Sequence, residues 1–180
     1  MTMAGDTAEA IKARKIIIMK DGKLKLNSEN VIAKTGYIKD GKADVSHLAS
    51  CFENTTLELG ANQAFGVLDI APASELDKTV LTIIFNGNTL SFDAVKGADT
   101  KDYQLNFEEF TSGNFVYTGD DNSVFDLSKI LVNGKYTGDQ LSWAGSAGNW
   151  SLTYNIPEPA TYAAILGGLA MAFAFMRRRQ

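Results

Sequence analysis

Thr79-Val80-Leu81-Thr82-Ile83-Ile84-Phe85-Asn86-Gly87-Asn88-Thr89-Leu90-Ser91-Phe92 decides the fold class. A β-branched run meets Asn-Gly, and a second apolar run follows. Branched side chains suit a pleated, half-buried surface better than a helix. Asn-Gly supplies two residues that tolerate positive φ, which a type I′ hairpin turn needs. The stretch therefore reads as a β-hairpin. Leu131-Val132-Asn133-Gly134-Lys135-Tyr136 offers a second turn of this kind, and Asp21-Gly22 and Asp40-Gly41 mark two more.

Further strands are expected at Thr55–Leu59, Phe65–Ile70, Tyr103–Phe107, Asn114–Thr118 and Asn149–Tyr154. Tyr103, Leu105 and Phe107 alternate with polar residues, as do Trp150, Leu152 and Tyr154, so each strand is expected to bury one face. Asp6 to Arg14 is a weak helical candidate. Met19-Lys20-Asp21-Gly22-Lys23 returns 19 residues later as Ile38-Lys39-Asp40-Gly41-Lys42. That spacing is near one turn of a β-solenoid, whose stacked rungs share a continuous core; it also fits two unrelated turns. The expected fold is mainly β. Solenoid-like rungs are placed over 10–76 and a hairpin or sandwich part over 77–154, together forming a passenger over 1–154.

The C-terminus is of another kind. Pro157-Glu158-Pro159 precedes 17 uncharged residues, Ala160 to Met176, and then Arg177-Arg178-Arg179. As a helix the apolar run is about 26 Å long, near the lower limit for a hydrocarbon core of roughly 30 Å. Tyr162 stands where an interfacial aromatic stands, and the arginines can snorkel to head groups. A transmembrane helix over 160–176 is expected, with the arginines cytoplasmic and the rest of the chain extracytoplasmic. Ala164, Gly168 and Ala172 form a small-residue face on it.

These three parts, in order at the extreme C-terminus, resemble the bacterial PEP-CTERM protein-sorting domain. The match covers about 24 residues, within a sorting tail placed at 155–180. The resemblance implies a Gram-negative envelope protein that is the substrate of a membrane-embedded exosortase. Pro157, Glu158 and Pro159 would be the recognition and processing motif, the helix a transient anchor, and Arg177, Arg178 and Arg179 the stop-transfer signal. The β-rich passenger with this tail also resembles the C-terminal end of large β-helical surface proteins of the autotransporter type. Passengers of such tails vary, so the tail names a destination and leaves the activity open. Export also requires a signal peptide, and Met1-Thr2-Met3-Ala4-Gly5-Asp6 lacks a basic n-region; Ile16-Ile17-Ile18-Met19 is too short to be its core. The sequence is accordingly expected to be a fragment or to carry a mis-assigned start.

Composition narrows the passenger. Residues 1–160 hold 14 basic and 21 acidic side chains, which argues against nucleic acid as a partner. A single cysteine, Cys51, excludes an internal disulfide framework and a cysteine-rich metal site. Glu108-Glu109 and Asp120-Asp121 are adjacent pairs, and neighbours on a strand face opposite ways, so neither is a ready acid–base couple. Asp120-Asp121-Asn122 lacks the order of a calcium loop. His47 and Cys51 have no orienting third group nearby. Trp143 and Trp150, with Tyr154, are the candidate platform for sugar stacking, against the commoner role of core filling. The reading is an exported structural or adhesive envelope protein without enzymatic activity or cofactor. Its expected partners are the membrane, the exosortase and extracellular polysaccharide. A carbohydrate-binding module is the alternative, and the remnant of a polysaccharide-degrading enzyme a more distant one.

Overall fold

The computed structural model describes residues 2–3, 15–29, 31, 34, 38–39, 42–43, 45–50, 52–71, 78–99, 102–136 and 140–155. At 2–3, 38–39, 42–43 and 135–136 it describes the backbone alone. The candidate helix at 6–14, Cys51 and the whole tail lie outside the described residues.

The protein is mainly β, and its described residues form two seven-stranded sheets and a small pair. The first sheet is ordered β1 (Thr2–Met3), β3 (Lys23–Leu26), β7 (Thr55–Leu59), β9 (Lys78–Ile84), β11 (Asp102–Glu108), β13 (Ile130–Val132) and β14 (Lys135–Tyr136). The second is ordered β2 (Lys15–Ile17), β6 (His47–Ala49), β8 (Gln63–Asp69), β10 (Leu90–Lys96), β12 (Phe115–Tyr117), β16 (Asn149–Tyr154) and β15 (Leu141–Ser146). From β6 to β13 the chain crosses from one sheet to the other at every step. Each return lies parallel to the preceding strand of the same sheet. β14, β15 and β16 alone bring antiparallel pairing into the two sheets.

Register stacks like on like. Leu24, Leu57, Ile83, Phe107 and Val132 stand in one column through the first sheet, and all are buried. Thr55, Leu81, Leu105 and Ile130 form the next column. Phe65, Phe92 and Tyr117 form a column in the second sheet. Burying each such aliphatic or aromatic side chain contributes about 1.5–3 kcal/mol, so the columns rather than any single turn hold the stack together. The alternation expected at Tyr103, Leu105 and Phe107 is present: all three are buried, with Gln104 and Asn106 partly exposed between them.

The Asn86-Gly87 expectation needs a correction. The local turn is there, with φ of 49° and 74° and Asn88 N donating to Phe85 O at 2.8 Å. The strands it joins do not pair. β9 bonds to β7 and β11, and β10 bonds to β8 and β12 in the opposite sheet. The turn is fastened to the preceding turn of the coil instead: Asn86 and Asn88 Nδ2 both donate to Leu59 O, at 3.0 and 3.1 Å, and Thr89 N donates to Asn62 Oδ1 at 2.8 Å. Phe85, fully buried, follows β9 into the space between the sheets and turns the chain across it. Asn133-Gly134, with φ of 50° and 74°, does close a hairpin, between β13 and β14.

The two Lys-Asp-Gly-Lys copies are not equivalent either. Met19–Gly22 carries the chain from β2 to β3, closed by Gly22 N donating to Met19 O at 2.8 Å. Ile38–Lys39 (β4) and Lys42–Ala43 (β5) form a separate two-stranded antiparallel pair outside both sheets. Nor does the stack divide at 76/77. β9 lies against β7 and β10 against β8, so strands from either side of that position are direct neighbours in both sheets.

In β8, Phe65 and Leu68 both join the core, a departure from strict period-two alternation. Between them lies Gly66, where a Cβ would stand 2.4 Å from Val45 Cβ, and its N–H donates to Ser46 Oγ at 3.2 Å. Glycine is the residue that lets Val45, just before β6, approach β8 this closely.

Candidate functional site

Trp143 and Trp150 both sit on the terminal β15–β16 pair. The register sets Trp143 opposite Leu152 and Gly145 opposite Trp150, which puts both indoles on the face of the fully buried Leu152. Trp143 lies over Phe115, with centroids 6.2 Å apart and planes 26° apart. Phe125 and Tyr117 flank it at 5.9 and 6.5 Å. Trp150 is partly buried against the same core, and its Nε1 donates to Asp120 O at 3.4 Å. The sugar-stacking expectation required two outward, coplanar rings. Both indoles are instead partly buried against the aromatic core, with Phe115 stacked on Trp143.

That core was not singled out from the sequence. Phe115 from the second sheet reaches Phe107 of the first at 4.8 Å, Phe92 at 4.9 Å and Phe125 at 5.7 Å. Phe85 and Phe110 extend the cluster, at 5.5 Å from one another. The available signal was the set of aromatics repeating through Phe85, Phe92, Phe107, Phe115 and Phe125.

The acidic pairs do not converge. Glu108 ends β11, exposed, and Glu109 follows at φ 53°, also exposed. Asp121 accepts from Ser123 N at 2.9 Å, and this capping bond together with the Ser123 hydroxyl holds its carboxyl below the usual range. Asp126 does the same work at the next short turn. Its Oδ1 accepts from Ser128 Oγ at 2.6 Å and Ser128 N at 3.0 Å, and those bonds lower its pKa. These carboxylates cap 3-10 turns. Asp126 N in turn donates to Tyr103 Oη at 2.8 Å, while burial raises the Tyr103 pKa. Lys129 Nζ lies 4.9 Å from the Tyr103 ring centroid and bonds Asp102 at 3.0 Å, which lowers the Asp102 pKa.

His47 lies in β6, half-buried, opposite Lys15 and Val67 in register. Its proposed companion Cys51 is outside the described residues. Among the described residues no group of three or more His, Cys, Asp or Glu is placed to hold a metal ion, and no helix is long and apolar enough to cross a membrane. Pro157, Glu158, Pro159, the 160–176 segment and Arg177, Arg178 and Arg179 all lie outside the described residues.

The strongest pKa shift among the described residues is on the outer face of the first sheet. Glu58 takes Lys23 on one oxygen and Lys25, at 2.7 Å, on the other. Hydrogen bonds from the two ammonium groups hold its pKa down to about 2. Farther along the same sheet, Lys78 Nζ bonds Gln104 Oε1 at 2.9 Å and Gln104 Nε2 bonds Asn106 Oδ1 at 2.7 Å. Asn106 Nδ2 then reaches Thr82 Oγ1 at 3.4 Å. This face is a polar ladder from turn to turn, with its groups satisfied by each other. Compared with family models, with curated proteins and with solved structures, the chain matches none.

Proposed function

We propose that the chain is a structural or adhesive protein of the bacterial cell envelope. Its two-sheet coil acts as a short β-solenoid stalk rather than as a catalyst. The observation that carries this reading is the buried column Leu24–Leu57–Ile83–Phe107–Val132, one residue per turn. A core that continues along an axis suits a spacer, because each added turn lengthens the body without changing its cross-section. The outward groups support the same role, since Glu58, Gln104 and Asn106 bond Lys23 and Lys25, Lys78, and Thr82 of the neighbouring turns.

Delivery is assigned to the tail. Pro157-Glu158-Pro159, the apolar 160–176 segment as a transmembrane helix, and Arg177, Arg178 and Arg179 make the chain a PEP-CTERM substrate, held in the membrane until an exosortase acts on it. The passenger then lies outside the cytoplasm, where extracellular polysaccharide is its expected surrounding partner. The test is expression behind a working signal peptide in an exosortase-bearing host. The native chain loses its C-terminal segment, measured by intact mass, and leaves the inner membrane. Replacement of Pro157, Glu158 and Pro159 by alanine leaves it uncut and membrane-bound. Unchanged processing in that variant refutes the assignment.

A further inference from the structure

Two Asn-Gly pairs adopt the same turn in different surroundings. Asn86-Gly87 has φ of 49° and 74°, and Asn133-Gly134 has φ of 50° and 74°. All four residues are exposed, and the space a Cβ would take at either glycine is open. With no side chain on the glycine, nothing shields its backbone nitrogen from the asparagine carboxamide beside it. Sequence and backbone conformation alone predict equal reactivity at the two pairs.

Hydrogen bonding separates them. Asn86 Nδ2 donates to Leu59 O at 3.0 Å, which ties the carboxamide to the preceding turn. Asn88 Nδ2 donates to the same carbonyl and to Asn86 O, both at 3.1 Å, and Thr89 N donates to Asn62 Oδ1 at 2.8 Å. The Asn86 side chain cannot swing onto the Gly87 nitrogen without breaking its bond to Leu59. Asn133 is held by its other end. Its Oδ1 accepts from Glu109 N at 3.3 Å, and its Nδ2 has no partner among the described residues. A donor on the carboxamide oxygen draws electrons from Cγ and stabilises the oxyanion that forms when Cγ is attacked. The turn also lies at the end of the first sheet, where β14 pairs with β13 alone among the described strands, through two residues. Such a terminal pair opens locally at less cost than a turn fastened within the stack.

We infer that Asn133-Gly134 is a self-modification site, at which the chain deamidates itself, while Asn86-Gly87 is protected. The Gly134 nitrogen gives its proton to solvent hydroxide and bonds to Cγ of Asn133. The Cγ–Nδ2 bond breaks, and Nδ2 leaves as ammonia with a proton from water. Water then opens the five-membered succinimide at either carbonyl, leaving an aspartyl or an isoaspartyl residue at 133. Water is the one co-reactant, and nothing is oxidised or reduced. The isoaspartyl form routes the main chain through the former side chain. One added methylene in a two-residue turn breaks the type I′ geometry that sets Val132 opposite Lys135, so β14 is released from the sheet. Both products add a carboxylate to a corner where Glu108 and Glu109 are already exposed. The inference does not depend on where the chain is delivered.

The experiment incubates the full chain in non-ionic detergent at mildly alkaline pH, with a parallel sample in concentrated urea. Trypsin, used under mildly acidic conditions, cuts after Lys78, Lys96, Lys129 and Lys135, which puts one pair in peptide 79–96 and the other in peptide 130–135. Mass spectrometry follows the conversion of each peptide with time. In the folded chain peptide 130–135 converts about tenfold faster, the effect of one or two net hydrogen bonds. In urea the two rates converge. Equal rates in the folded chain, or a faster rate at Asn86, refute the inference. So does a preference for Asn133 that persists undiminished in urea, because it then comes from the neighbouring residues and not from the folded turn. A folded chain still unconverted at Asn133 when the urea sample has converted fully refutes it as well.

Discussion

Replacing Phe115 by alanine tests the joint between the two sheets. Phe115 is fully buried, comes from the second sheet and touches Phe107 of the first at 4.8 Å. Phe92, Phe125, Trp143 and Phe85 complete its surroundings at 4.9, 5.7, 6.2 and 6.3 Å. Deleting a buried phenyl ring costs about 3–5 kcal/mol, and aromatic pairs add about 0.5–1.5 kcal/mol beyond their buried area. With neighbours from both sheets held by their own strands, the hole cannot collapse readily, so the loss is set near 4–5 kcal/mol. Both tryptophans lie on β15–β16, so indole emission during urea unfolding reports the end of the stack that Phe115 supports. At an m-value of about 2 kcal/mol per molar urea, the midpoint falls by roughly 2 M. Circular dichroism, which follows all the turns, shifts less, because in a stack a local loss reaches distant turns only through their neighbours. Phe110→Ala is the control, since Phe110 is slightly exposed and contacts Phe85 and Phe107 from the periphery. A Phe115→Ala shift under about 0.5 M, or one no larger than the control's, refutes the two-sheet joint.

Gly66→Ala pushes a methyl group against Val45, where the present separation would be 2.4 Å, and thermal unfolding is expected to show a loss of about 1–3 kcal/mol. Pairing Gly66→Ala with Val45→Ala recovers part of that loss if the clash is its cause. Glu58 gives a pH dependence with a definite sign. Its pKa is depressed in the folded chain to about 2, so the stability from Lys23 and Lys25 is fully present above about pH 4.5 and is lost as pH falls towards 2. Glu58→Gln makes the acid fall of the unfolding midpoint shallower, the remainder coming from Asp102, Asp121 and Asp126, and a fall of the same size in both proteins contradicts the pairing.

What the sequence made legible was mostly local. Alternation at Tyr103, Leu105 and Phe107 identified a half-buried strand, because the pleat alone dictates which side chains share a face. The Asn86-Gly87 turn was legible as backbone conformation and illegible as pairing. Positive φ at two residues reverses the chain, but the destination of the next strand depends on what lies across the gap. Phe85 beneath the turn, and the Leu59 carbonyl that Asn86 and Asn88 find in the previous turn, send β10 into the opposite sheet. The Leu59 carbonyl lies 27 residues before Asn86, outside hairpin range in sequence. The spacing that does carry the architecture is the register of the first sheet. Lys78 lies opposite Asp102, 24 residues on, and Leu105 opposite Ile130, 25 on, whereas Lys23 and Thr56 are 33 apart because β4–β5 intervene. An uneven period hides from a search for repeated letters, since each turn needs only an inward apolar column and a turn that can bond to the one before. The tryptophans follow the same logic. Their types suited either a ligand face or a core, and a two-residue offset in the register, Trp143 to Leu152 and Trp150 to Gly145, assigned both to the inner face.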